Sequence, residues 1–313
     1  MRFITKAGLA VGTALLLAAC SSGGGGGTAS SEPAGTLTAL PAPARTATPT
    51  PTPSPYGPVL TRYVGPVNTA LAKVTVVNNL TDFDTVLGEI GTSATSAGTG
   101  LRRADQPAEV TAAQTELVTA LGQVSTDMTK VRSDIKRKNV CALSSALSEF
   151  GQTQGLKAAS AALSKLTAAG YPTTFAVPQI PPLQTRSLEN GTMVREGRLH
   201  GHGVFKVDNG GSSDAVVSLA MDGKSVHSVF VAKGQKASIE GVEDGTYDVF
   251  FSGGVDWDGG AKAFTQSCRF SKFQDTLAFE TGRTYTSWSI TLQPTVGGNA
   301  KTDDVDAKNF PQP

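Results

Sequence analysis

At 313 residues the chain is long enough for two domains of ordinary size, each burying its own core. Charged residues make up only 17% and the formal net charge is +1, so there is no bulk attraction toward nucleic acid or anionic lipid, and nucleic-acid binding is disfavoured. The 35 glycines accompany 39% hydrophobic residues, and the excess of small, flexible residues falls mostly near the start.

Residues 1–19 carry Arg2 and Lys6 ahead of an apolar run from Ala7 to Ala19, the pattern of an export signal. The run is shorter than the roughly 20 apolar residues a membrane-spanning helix needs. Its end, Leu17-Ala18-Ala19-Cys20, resembles the lipobox of bacterial lipoproteins. The resemblance implies cleavage before Cys20, acylation of the Cys20 thiol, and a lipid-anchored location at the cell membrane, facing away from the cytoplasm. Membrane lipid is then a partner through Cys20. Two acyl chains, at about 0.8 kcal/mol per buried CH₂, anchor a protein stably where one does not. The alternative is a secretory signal without lipid, its cysteine incidental.

Residues 20–58 open with Ser21, Ser22 and five glycines and run on into TPTPTPSPYGP, with no apolar period. They read as a disordered linker, a flexible coil followed by an extended Thr-Pro spacer. The composition resembles the Thr-Pro linkers of exported actinobacterial proteins, which carry sugars in some cases.

Residues 59–171 read as an antiparallel helical bundle. Its clearest stripe is Val110, Leu117, Leu121, Val124, Met128, Val131 and Ile135, with Asp105 as an expected cap and Pro107 in the first turn. Phe83, Leu87, Ile90, Ala94, Ala97 and Leu101 predict a second helix starting near Thr81 and Asp84. Val67, Leu71 and Val74 give a weaker pattern; Leu156, Leu163 and Leu166 predict a last helix that Gly170 and Pro172 stop. The basic run Lys130, Arg132, Lys136, Arg137 and Lys138 reads as a solvated face, with phosphate or anionic lipid as the alternative contact.

The stretch 172–196 contains Pro178, Pro181 and Pro182 and shows neither period, so it reads as a linker. In 197–295, alternating runs predict half-buried strands: Ala215, Val217, Leu219 and Met221; Val229 and Val231; Tyr247, Val249 and Phe251; Thr286, Trp288, Ile290 and Leu292. Asp222-Gly223, Lys233-Gly234, Asp244-Gly245 and Thr281-Gly282 separate them as turns. The expected fold is therefore multidomain α and β: a helical bundle, then an all-β sandwich, with 296–313 as a tail. KGQKASIEGVEDGTYDVFF, residues 233–251, resembles the hairpin of prealbumin-like and carboxypeptidase-regulatory-like sandwiches, which are usually noncatalytic. The stretch from Gly203 to Pro311 is similar to a domain of exported bacterial proteins that brings no activity with it.

Three constellations bear on chemistry. His200 and His202, on one face if that segment is a strand, would hold a metal with one open position if His227 joined them; packing or surface histidines are the plainer reading. Asp256, Trp257 and Asp258, read as a Gly-rich surface loop, offer carboxylates beside an aromatic ring for Ca²⁺ or a sugar, against ordinary turn chemistry. With Cys20 spent on lipid, Cys141 and Cys268 are left either to pair in an oxidising compartment or to stay as buried thiols. Ser133 and Lys136 have the spacing of a penicillin-recognising enzyme without its companion motifs, and no nucleotide-binding glycine loop follows a strand. No cofactor is expected. The reading that results is a noncatalytic binding or scaffolding lipoprotein contacting an envelope protein or glycan. The alternatives are a solute- or metal-binding transport lipoprotein and an envelope-polymer hydrolase.

Overall fold

The computed structural model describes residues 56–293 and 301–313; the expected export leader, Cys20 and the expected Gly/Pro spacer through residue 55 lie outside the described residues. Helix α1 (Tyr56–Ala72) buries Tyr56, Leu60, Val64, Val67 and Leu71 along one stripe. Helix α2 (Leu80–Arg103) starts slightly earlier than the sequence suggests, because Asn79 accepts the Asp82 backbone N–H at 2.9 Å and caps it. Asp84, freed from that role, takes a two-point bond from Arg132 at 2.9 and 3.0 Å. Helix α3 (Thr111–Lys136) is entered through a 3₁₀ turn, Ala108–Val110, and has no side-chain cap, so Asp105 does not play the expected part.

Helix α4 (Leu143–Gly151) has no counterpart in the sequence reading, since serines 145 and 148 occupy half of its buried positions. Helix α5 (Gln154–Ala168) ends ahead of Gly170, whose φ of +91° suits the stop. Helix α3 lies against α2 and α5, and α1 against α2. At the α3–α5 crossing a Cβ on Gly155 would stand 2.4 Å from the Val124 nitrogen, so only glycine fits. No helix among the described residues is long and apolar enough to cross a membrane.

The β region contains β1 (Met193–Arg195), β2 (Gly203–Asn209), β3 (Asp214–Met221), β4 (Lys224–Val231) and β5 (Gln235–Val242). It continues with β6 (Gly245–Asp258), β7 (Ala263–Phe273), β8 (Leu277–Phe279), β9 (Ser287–Thr291) and β10 (Thr302–Asp304). The larger sheet has the order β1-β4-β3-β6-β7-β10, with β8 also on β6; the smaller is β5-β2-β9. Every pairing is antiparallel except β2 with β9. Asp222 and Gly223, at φ 49° and 72°, make the tight β3–β4 hairpin the sequence indicates.

Between the sheets Phe205, Val207 and Ile239 meet Val217, Leu219, Val229, Val231, Tyr247 and Val249. This is a sandwich preceded by a helical region, as the residue patterns imply. Strands β3 and β4 are not half-buried, however. Val216, Ser218, Ala220, Ser228 and Phe230, on the opposite face, are buried as well, because the segment around Cys141, the connection with Leu188 and Val194, and the chain's last residues pack on that face. The tail takes part in the fold: β10 pairs with β7, and Phe310 packs on Phe250 and Phe270. The described residues form a single compact unit. Within it, Phe175, Val177 and Ile180 pack on the helical core while Leu188 and Val194 pack on the sheet.

Candidate functional site

The basic end of α3 leads straight into the outer face of the larger sheet. Lys138 takes a left-handed conformation, φ 59°, and ends the helix by donating its N–H to the Ile135 carbonyl at 3.1 Å. The chain then runs beside β7: the Cys141 N–H donates to Thr265 O at 2.9 Å, while Ser267 and Cys268 donate to Asn139 O and Lys138 O. Val140 bridges Gln266, and Ser145 Oγ donates to Thr265 O at 2.7 Å. Cys141 and Cys268 are joined in a disulfide across this seam, with Cα atoms 6.3 Å apart. Cys268 is thus both buried and paired.

Next to the bridge stands Asp256, which sits in β6 with φ 58° and is 3% exposed. Its carboxylate accepts from the Arg186 backbone N–H, Nε and Nη2, each at 2.8 Å, and from Thr265 Oγ1 at 2.6 Å. The Arg186 guanidinium holds the Asp256 carboxyl well below the usual carboxylate range, against the opposing effect of burial. Asp258 accepts from Gly260 and Ala261 N–H and from Arg186 Nη2. The Ala261 N–H is the chief cause of its lowered pKa.

These facts correct the reading of Asp256, Trp257 and Asp258 as a ligand-binding surface loop. All three lie at the end of β6, not in a loop. Trp257 is 3% exposed, edge-on to Phe230 and Phe264, so its ring is core and cannot stack a sugar. The Asp256 oxygens are filled by Arg186 and Thr265, which leaves them unsuited to a cation.

The histidines are likewise not brought together. His200 and His202 are exposed on the connection before β2, not in a strand. His227 is fully buried in β4, where its Nδ1 accepts the Gly197 N–H at 3.3 Å and its Nε2 has no partner among the described residues. Burial lowers its pKa. Among the described residues no three His, Cys, Asp or Glu side chains form a metal-holding group. Strand β4 pairs with β1 and β3, whereas the residues after His202 join the other sheet, which is why the expected trio fails.

What the seam does enclose is a cavity of about 340 Å³. Leu80, Ile135, Val140, Phe264, Phe270 and Phe310 form its walls, and Cys141 lies at its edge. Sequence reasoning missed Arg186, Thr265, Lys262 and Phe310. Arg186 sits in a segment with no period, and Phe310 follows the last strand, so neither carried a local signal; Lys262, at φ 49°, occupies a turn where glycine is usual. No family model, curated protein or solved structure matches this chain.

Proposed function

We propose that the chain is a lipoprotein held to the outer side of a cell membrane through Cys20, and that its folded part is a noncatalytic binding or scaffolding module. The observation that carries this reading is the Cys141–Cys268 disulfide, which leaves Cys20 as the remaining cysteine of three. A structural disulfide belongs to an oxidising compartment, in keeping with the export leader. The Thr-Pro segment serves as a spacer between membrane and folded unit. The likeness of the C-terminal half to prealbumin-like and carboxypeptidase-regulatory-like sandwiches belongs to the same reading. A noncatalytic role is favoured by the state of Asp256: a carboxylate saturated by an arginine and a threonine is poorly placed to act as acid, base or nucleophile.

The test is metabolic labelling with an alkyne analogue of palmitate in a bacterial host, comparing the full chain with Cys20→Ala. Label and membrane association that disappear together in the variant support the proposal. Label that persists in Cys20→Ala, or a wild-type chain that is released unlabelled, overturns it.

A further inference from the structure

We propose that the seam cavity binds a small single-chain amphiphile with an apolar body and one anionic headgroup, of which a medium-length fatty carboxylate is the simplest member. The inference rests on the reading of the folded part as a binding module and adds the site and the ligand class.

Two lysines line this cavity, Lys138 from the end of α3 and Lys262 from the β6–β7 turn. Neither lysine has an acidic side-chain partner among the described residues, and no Asp or Glu side chain lines the cavity; Ser252, Gln312 and the last residue, Pro313, complete its polar lining. Both lysines hold backbone positions where a side chain is a disadvantage, at φ 59° and 49°. Left-handed backbone disfavours a residue with a Cβ, and glycine is the usual occupant of a helix stop or a tight turn of this kind. Two such positions, remote in sequence, carry lysine and line one mostly apolar cavity. Lysine at both positions, where glycine would be easier, supports a role for the two side chains at this cavity.

The walls and rim define the occupant. Phe264, Phe270, Phe310, Ile135 and Val140 offer a surface for hydrocarbon and no hydrogen-bonding chemistry of their own. At about 340 Å³ the cavity is near the lower end of small-molecule pockets, which suits one short chain and not a two-chain lipid. Two lysines at the same site, without acidic side-chain partners among the described residues, favour a carboxylate over an alcohol or a cation. The disulfide at its edge keeps the α3 end and β7 in register, so the pocket is formed before a ligand arrives.

The experiment is equilibrium dialysis of radiolabelled decanoate against the full chain carrying Cys20→Ser, with decanol and acetate as competitors. The variant compared is Lys138→Gly/Lys262→Gly. The expected result is saturable binding of decanoate, at least tenfold weaker competition by decanol and by acetate, and at least a tenfold loss of affinity in the double-glycine variant. Its thermal midpoint should equal or exceed that of the parent, because glycine relieves both turns. Absence of saturable decanoate binding, equal competition by decanol or acetate, or undiminished binding by the variant overturns the proposal. Cys20 labelling is read separately, so failure of the cavity and failure of the lipoprotein reading remain distinguishable.

Discussion

The two faces of the larger sheet are both shut off from water, but by different means. The inner face meets β5-β2-β9 through Val, Leu, Ile and Phe at alternating positions. The outer face is closed by a disulfide, a half-buried Arg186–Asp256 pair, the end of α3 and the Phe310 tail. An alternating run of residues reports a face that is buried by its own sheet partner. It is silent about a face covered by distant chain. The difference matters for function, because the outer face, assembled from many segments, is where the cavity and the strained turns gather.

This contrast can be broken experimentally. The largest effect is expected from Cys141→Ser/Cys268→Ser: cross-linking residues 127 apart contributes up to about 5 kcal/mol by the chain-entropy estimate. Urea unfolding would read it, and a midpoint unchanged from the parent would mean that the outer face holds without its bridge. Trp257→Ala should cost about 4 kcal/mol, close to the cost of Phe279→Ala on the inner face, where the ring is also buried. A Trp257→Ala protein as stable as the parent would return that ring to the surface.

Arg186→Met leaves the Asp256 carboxylate buried with only Thr265 and a backbone N–H. The expected loss is about 2 kcal/mol, less than for a fully buried pair, since the Arg186 side chain is 43% exposed and partly screened. The folded pKa of Asp256 is depressed, so the stabilisation it contributes is present above the unfolded value of about 4 and is lost as pH falls below it. In Arg186→Met the acid limb of a stability–pH profile should therefore be shallower. The smallest effect concerns His227, on the inner face. Its folded pKa is lowered by burial, so its contribution is full above the unfolded value of about 6.5 and declines as pH drops through the window beneath it. His227→Leu should flatten the profile below about pH 6.5, and a slope identical to the parent's would show that His227 does not contribute there.

Much of the scaffold was legible because it is local. The stripes of α2, α3 and α5 follow from spacings of three and four, and the β3–β4 hairpin follows from Asp222-Gly223. Helix α4 was hidden by its buried serines. The site was far less legible. Asp256 and Trp257 look like a polar turn in isolation, and their neighbours Arg186 and Thr265, 70 and 9 residues away, convert them to core. The same holds for Cys268, whose partner is decided by the course of the chain after α3.

By itself the sequence determined the order of helical and β regions and the periods that form their cores. Those features depend on the geometry of residues a few positions apart, which every stretch of chain carries with it. Only the tertiary structure decided that Trp257 is buried, that His200, His202 and His227 stay apart, and that Lys138 and Lys262 share a cavity. Such juxtapositions arise when remote segments exclude water together, and no local period records which segments will meet.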